Sequence, residues 1–214
     1  RPPRSTLFPY TTLFRSYGKN YSFVEENHDA PEHLVVDMLY DFIDGTLACG
    51  NAENAVHEVV KYINAHPEER VIYITDYHPA NHSSFADFGG IWPVHCVQGT
   101  RGGAIHEAFY TDVINPANRP DPERNIFRKG EQVDKEQYSG FASVGPDGRM
   151  LSECVGKDLV ISGIATEYCV KNTLMEFLNA GHNIELLVPG LGYVEKKGHD
   201  ETMKELEKIV TVIE

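Results

Sequence analysis

The chain has 214 residues, of which 41% are hydrophobic and 24% charged, which is typical of one globular domain with a sizeable core. No run of about 18 apolar residues occurs, so the sequence predicts no transmembrane helix. The formal charge is -13, and all acidic residues follow residue 23, so the body of the chain repels phosphate backbones. We therefore expect a protein that binds neither nucleic acid nor membranes, and that accepts a neutral or cationic small molecule.

The four cysteines (Cys49, Cys96, Cys154 and Cys169) form no CxxC pair. A chain of this length has enough core to fold without disulfides. We predict a reduced cytoplasmic protein with mostly buried thiols, one of which can still be reactive.

The first 16 residues differ in composition from the rest of the chain. They contain no acidic side chain and repeat Thr-Leu-Phe at 6–8 and 12–14. The segment superficially resembles a mitochondrial transit peptide and more closely resembles translated sequencing-adapter read-through. We interpret 1–16 as a non-native or disordered extension, followed by a polar lead-in at 17–33 and a single domain at 34–214.

From residue 34 onward, short apolar runs alternate with helical stretches. In chain order, the pattern predicts a strand at 34–38, a helix at 51–66, strands at 71–75, 126–128 and 159–163, a helix at 167–179, a strand at 184–188, a helix at 199–208 and a strand at 209–213. Strands that are apolar on both faces and separated by helices imply a parallel sheet covered on both sides. We therefore predict an α/β fold with a six-stranded, mostly parallel sheet and helices on both faces.

Four chemically capable side chains stand where predicted strands end. Asp37 closes the first strand, Asp76 and Lys129 follow the second and third, and Cys169 lies near the start of the helix after the fourth. Ligands of such sheets bind beyond the carboxyl ends of the strands. A carboxylate and a lysine at the ends of neighbouring strands could simply form a structural salt bridge. Together, a thiol whose pKa is lowered at a helix N-terminus, a carboxylate that takes its proton and a lysine that holds the carboxylate could form a covalent hydrolase.

A second cluster follows the second predicted strand. Asp76 and His78 alternate along an extended segment, and His95 follows within 18 residues of His78. One carboxylate and two imidazoles suit zinc, iron or manganese and leave coordination positions open. We predict a metal site at these three residues, with His82 left open as a fourth ligand or a residue that supports the others.

Six motifs in chain order resemble the nicotinamidases of the isochorismatase-like cysteine hydrolases. They are VVDMLYDF (35–42), DYHPANHSSF (76–85), WPVHCVQGT (92–100), FRKGE (127–131), YSGF (138–141) and GIATEYCV (163–170). One such motif would be suggestive, whereas six in order are highly specific. The resemblance covers the chain from about residue 34 and implies a Rossmann-like three-layer fold.

The resemblance also implies the catalytic roles. The expected triad is Asp37, Lys129 and Cys169, and the backbone N–H groups of Ala165 and Cys169 would form the oxyanion hole. A cis peptide bond is expected between Ile164 and Ala165.

The same resemblance assigns the metal and substrate sites. Asp76, His78 and His95 would bind a divalent metal ion, zinc foremost, with iron or manganese as alternatives. The expected substrate-binding residues are Phe42, Trp92, Tyr138 and Ile164. A plainer role as core aromatics remains open for Phe42 and Trp92.

The implied activity is hydrolysis of nicotinamide to nicotinate and ammonia through a cysteine thioester, within NAD salvage, with the metal orienting the pyridine. The expected partner is a small pyridine carboxamide, and a homo-oligomer is left open. One alternative is another amidase of the superfamily that acts on a carbamoyl or ureido compound, which the metal cluster disfavours. An isochorismate-type vinyl-ether hydrolase is disfavoured by Cys169. A non-catalytic binding module on the same fold would be expected to lack a triad member.

Overall fold

Six strands form a single sheet in the computed structural model, which describes residues 30–214. The strands are β1 (Glu32–Val36), β2 (Arg70–Asp76), β3 (Ile126–Lys129), β4 (Asp158–Gly163), β5 (Asn183–Leu191) and β6 (Thr211–Ile213). They lie in the order β3-β2-β1-β4-β5-β6, and every neighbouring pair is parallel. The predicted parallel sheet is confirmed, and β1 begins two residues before the predicted domain start. The predicted extension at 1–16, and residues 17–29 of the lead-in, lie outside the described residues.

Within residues 30–214, five α-helices connect the strands. They are α1 (Tyr40–Ile43), α2 (Ala52–Ala65), α3 (Ala108–Thr111), α4 (Lys171–Asn179) and α5 (Lys196–Leu206), with 3₁₀ turns at Ala86–Phe88, Pro116–Asn118 and Leu151–Glu153 and a π-helical turn at Thr166–Val170. The helices α1 and α3 have four residues each, too few to show a helical period in the sequence. The last helix begins before the predicted residue 199. The Glu167 carboxylate accepts the Glu195 N–H at 2.7 Å and organises that start.

The two faces of the sheet carry separate hydrophobic cores. Val35, Tyr73 and Val160 pack with α1, α2 and α3 on one face. The alternate positions Leu34 and Ile161 pack with α4 and α5 on the other. The period of two along each buried strand therefore produces the predicted three layers. Within residues 30–214, no helix is long and apolar enough to cross a membrane.

The strand order fixes where a ligand can bind. The chain moves outward from β1 through β2 to β3, then returns to the other side of β1 and continues through β4, β5 and β6. The direction of winding reverses between β1 and β4. In open α/β sheets the crevice at this reversal, beyond the carboxyl ends of the strands, is the usual ligand site.

A buried histidine lies near the start of β1, at the opposite end of the strand from that ligand-binding edge. His33 is fully buried, and its Nε2 lies 2.8 Å from the Ser162 hydroxyl. Burial, with a smaller contribution from the charge of His66, lowers the pKa of His33 to about 3. The folded protein therefore holds this ring neutral at a pH where the unfolded chain would protonate it.

We expect His33 to make the protein less stable as the pH falls below about 6.5, the ordinary pKa of histidine. Between pH 6 and pH 4 the unfolded chain binds one more proton at His33, which costs about 1.4 kcal/mol of unfolding free energy per pH unit. Urea unfolding of His33→Gln across this range should show a correspondingly shallower pH dependence. The exposed His57, replaced in the same way, is the control variant. Equal slopes for wild type and His33→Gln would contradict the prediction.

Candidate active site

Four predicted side chains meet at the carboxyl edge of the sheet beside the winding reversal. Asp37 follows β1, Asp76 and Lys129 are register neighbours at the ends of β2 and β3, and Cys169 lies in the π-helical turn after β4. All four are buried. Because the strands are parallel and adjacent, residues far apart in the sequence come within contact distance.

The Lys129 ammonium joins the other three groups. Its Nζ lies 2.8 Å from Asp37 Oδ2 and 3.4 Å from Cys169 Sγ, and it also donates to Asp76 Oδ1. Oxygen and sulfur atoms of Asp37, Asp76 and Cys169 lie within 4.8 Å of one another, so this group could in principle hold a metal ion. The lysine already provides a cation there. The structure therefore pairs the thiol with an ammonium.

Asp37 is held in an uncommon backbone conformation. Its φ is 49°, in the left-handed region, and its N–H donates to the Ile74 carbonyl at 2.9 Å. Its Oδ1 accepts the backbone N–H of Asp76 at 2.8 Å. A non-glycine residue in this region costs about 1–3 kcal/mol and persists where its surroundings fix it. The turn aims the carboxylate across the strand ends towards Lys129.

Burial dominates the protonation of the site. It raises the pKa of Asp37 to about 6, with the Asp76 charge adding to the effect and Lys129 opposing it. Burial also raises the pKa of Cys169 well above its usual value, although Lys129 opposes this shift. Burial disfavours the Lys129 ammonium, but Asp37 and Asp76 outweigh it and raise the pKa of Lys129. Burial of the thiol in the π-helical turn thus acts against the lowered pKa expected for Cys169 near a helix N-terminus.

The predicted metal ligands form a neighbouring group. Ligand atoms of Asp76, His78 and His95 lie within 4.8 Å of one another, and all three residues are buried. His78 Nδ1 lies 2.9 Å from the Gly130 carbonyl, and His95 Nδ1 lies 2.8 Å from the Pro93 carbonyl. A carbonyl accepts only from an N–H, so in the neutral form of each ring Nε2 carries the lone pair that a metal ion needs. The Asp76 carboxylate, 3.5 Å from His78 Nε2, outweighs burial and raises the pKa of His78. The donor set of two imidazoles and a carboxylate, oriented in this way by backbone carbonyls, fits a divalent metal ion.

His82 lies beside this group with both ring nitrogens in use. Its ring stacks on that of His78 at 4.2 Å between centroids. Its Nε2 donates to the Lys135 carbonyl at 3.1 Å, and its Nδ1 lies 2.7 Å from the Ser84 hydroxyl. The structure therefore places His82 as a support for the His78 ring and not among the three ligating side chains.

A pocket opens onto Cys169 and two of the predicted metal ligands, Asp76 and His95. Its lining comprises Phe42, Leu47, Asp76, Trp92, His95, Glu136, Tyr138, Ala165, Tyr168, Cys169 and Val194. Trp92 Nε1 donates to the Tyr138 hydroxyl at 3.0 Å, and the Trp92 ring meets Tyr168 edge-on at 5.0 Å. Three predicted aromatic residues thus form walls of this pocket.

The residues that line the pocket differ in part from the predicted substrate-binding residues. Ile164 is fully buried in the core and does not line the pocket, whereas its neighbour Ala165 does. Leu47, Glu136 and Val194 line it although no motif singled them out. Of these, Val194 follows β5, so the rule that ligands bind at strand ends could have found it.

The peptide bond between Ile164 and Ala165 is cis, as predicted. The Ala165 carbonyl accepts the N–H groups of Tyr168 and Val170 at 3.0 and 3.1 Å. Within residues 30–214, the N–H of Ala165 has no protein acceptor. This arrangement leaves a donor beside Cys169.

Fold and site together define a doubly wound α/β protein whose chemical groups lie at the winding reversal of the sheet. The isochorismatase domain family matches residues 32–214. The chain therefore belongs to the isochorismatase family.

Several proteins that the chain is similar to are nicotinamidases or pyrazinamidases. The nicotinamidase/pyrazinamidase of Mycobacterium tuberculosis is 30% identical, and the alignment covers 83% of this chain and 93% of that protein. The pyrazinamidase of Pyrococcus horikoshii, solved in complex with zinc, gives a TM-score of 0.72 at 30% identity, over 86% of this chain and 98% of that chain. PnC1 of L. infantum, solved with nicotinate, gives 0.68 at 27% identity, over 86% and 92%. The predicted resemblance to nicotinamidases of this family, and its fold, are confirmed.

Proposed function

We propose that this chain hydrolyses nicotinamide to nicotinate and ammonia through a thioester on Cys169. The single observation that carries the proposal is the contact of Lys129 with both Asp37 and Cys169, directly beside a donor set suited to a metal ion. The broader prediction, an amidohydrolase that acts on a carboxamide, is confirmed by the match to the mycobacterial nicotinamidase/pyrazinamidase.

The first half of the proposed reaction uses the buried ion pair. Asp37, ionised near neutral pH with a pKa of about 6, removes the proton of the Cys169 thiol while Lys129 holds the carboxylate in place. The resulting thiolate attacks the carboxamide carbon. The oxyanion that forms accepts hydrogen bonds from the backbone N–H groups of Ala165 and Cys169.

The second half returns the proton. Asp37 donates it to the leaving nitrogen, so that ammonia departs and a thioester remains on Cys169. Water, deprotonated by Asp37, then attacks the thioester carbonyl. The Cys169 thiolate leaves as the thioester opens and takes that proton from Asp37. The acid product gives its own proton to the released ammonia, so nicotinate and ammonium are the forms present at neutral pH. The net reaction consumes one water molecule and releases ammonia.

Asp76, His78 and His95 would hold the divalent metal ion, with zinc the foremost candidate and iron or manganese as alternatives. When bound there, the ion would supply a Lewis-acid contact for the pyridine nitrogen and orient the ring. Phe42, Trp92 and Tyr138 would enclose the ring. Ile164 would act from behind the pocket, through the position of Ala165.

The wider setting is part of the same proposal. The activity would serve NAD salvage in the cytoplasm, and the partner would be a small pyridine carboxamide.

An ammonia-release assay tests the proposal. The purified protein, loaded with zinc, should release ammonia from nicotinamide and not from an N-carbamoyl amino acid supplied at the same concentration. The physical reason is that a ureido compound lacks a ring nitrogen to meet the donor set of Asp76, His78 and His95. Turnover of the ureido compound with none of nicotinamide would overturn the proposal and favour the alternative amidase.

A further inference from the structure

A buried carboxylate outside the predicted site contacts the loop that carries a metal ligand. Asp41, in the first turn of α1, is buried. Its Oδ2 accepts the backbone N–H of Cys96 at 2.8 Å, and its Oδ1 accepts that of Thr46 at 3.2 Å. Both oxygens are therefore used by backbone donors from two separate loops.

The peptide groups of Cys96 connect the two imidazole ligands. Cys96 directly follows His95, and its carbonyl accepts the N–H of His78 at 3.1 Å. Its φ is 49°, a conformation that residues with a Cβ adopt only when their surroundings hold them there. Asp41 therefore forms its hydrogen bond with Cys96, the residue that sets the positions of His78 and His95 relative to each other.

The absence of a side chain at Gly102 leaves the space that the Asp41 carboxylate occupies. A Cβ on Gly102 would lie 2.0 Å from Asp41 Oδ2, and the Gly102 carbonyl accepts the Asp41 N–H at 3.0 Å. The carboxylate is thus fixed from the backbone side as well as by its own hydrogen bonds.

We propose that Asp41 is a positioning residue for the metal site. It holds the Cys96 turn, and through it places His95 Nε2 and His78 Nε2 at the separation that a single ion requires. The inference rests on the metal site of the proposed function. Loss of a hydrogen-bonding partner that orients a metal ligand typically weakens metal binding by about 10–100-fold.

The first test is Asp41→Asn, measured as zinc affinity by competition with a chromophoric chelator. The amide NH₂ must face one of the two backbone N–H groups, so one hydrogen bond is replaced by a clash of donors. We expect zinc to bind about 10–100-fold more weakly. Asp44→Asn is the matched control, because Asp44 follows α1 but is exposed and paired with Arg101. It should bind zinc as the wild type does.

The second test leaves the carboxylate in the chain and displaces it. Gly102→Ala drives the new methyl group into Asp41 Oδ2 and should weaken zinc binding in the same way. Gly156→Ala is the control, because its Cβ would meet only Glu32 Oε2, at 3.7 Å. In both test variants iodoacetamide should alkylate Cys169 at the wild-type rate, since Asp37 and Lys129 are untouched. A general loosening of the fold would change that rate as well.

The outcomes separate this inference from the proposed function. Failure of the wild-type protein to bind zinc would overturn the metal proposal and this inference with it. Wild-type zinc affinity in folded Asp41→Asn and Gly102→Ala would overturn the inference alone. Loss of folding in both variants, or parallel loss of zinc binding and thiol alkylation, would also overturn it by making the role of Asp41 structural.

Discussion

Replacing Cys169 with alanine should abolish turnover of nicotinamide and leave the protein folded. In the proposed reaction Sγ forms the covalent bond to the substrate, and no other thiol lines the described pocket. Loss of a nucleophile of this kind costs on the order of 10⁴-fold or more in kcat. Alanine removes only one buried atom, and Lys129 keeps both carboxylate partners, Asp37 and Asp76.

The measurement is ammonia release at saturating nicotinamide, with the melting temperature recorded alongside. Cys154→Ala is the matched control, because that thiol is partly buried and lies away from the pocket. It should keep full activity. Acid-quenched wild-type protein should also carry a nicotinoyl adduct on Cys169, detectable by mass spectrometry. Turnover by folded Cys169→Ala within about tenfold of the wild type would contradict thioester catalysis.

The strand-end residues could be predicted from the sequence because apolar runs locate buried strands well. Asp37, Asp76 and Lys129 each follow such a run, and parallel strands bring their carboxyl ends to one edge. The three-layer architecture follows from the same pattern. Element boundaries were less predictable, as shown by α5, whose start depends on the Glu167 side chain from a distant turn.

Other features depend on distances that no local pattern records. The shared contact of Lys129 with three groups requires the register between β2 and β3. The hydrogen bonds that engage both nitrogens of His82 come from Ser84 and Lys135, and only the folded loop brings Lys135 close. Asp41 lies within the motif VVDMLYDF (35–42), yet its bond to Cys96 spans 55 positions. The raised pKa of Cys169 likewise follows from its burial in the folded protein, which its place before a helix does not reveal.

Loss of the metal ion should leave the reactivity of the Cys169 thiol intact, and loss of thiol activation should leave metal binding intact. His95 contacts the Pro93 carbonyl and the rings of Phe42, His78 and Phe85. Within residues 30–214, none of its hydrogen bonds or ring contacts involves Lys129 or Cys169. Chelation, or His95→Ala, should therefore remove the orienting ion and lower kcat/KM for nicotinamide by at least about 100-fold, the scale of loss for a misplaced substrate. Iodoacetamide should still alkylate Cys169 at close to the native rate.

Asp37→Asn is the opposite case. The asparagine Oδ1 can still accept the Asp76 N–H, so the geometry of the metal ligands survives and zinc should bind with wild-type affinity. The negative charge that takes the proton of Cys169 is lost, so both alkylation and turnover should slow. One variant thus loses zinc and keeps thiol reactivity, and the other does the reverse.

Mass spectrometry of iodoacetamide time courses and chelator competition for zinc would measure both properties on the same samples. The contact of Asp76 with Lys129 makes the separation a demanding test, because one carboxylate belongs to both groups. If that shared carboxylate coupled them strongly, removal of the ion would silence the thiol as well. Loss of alkylation in chelated, folded protein would therefore show that the ion acts on the nucleophile, and the division of roles proposed for Asp37 and His95 would be wrong.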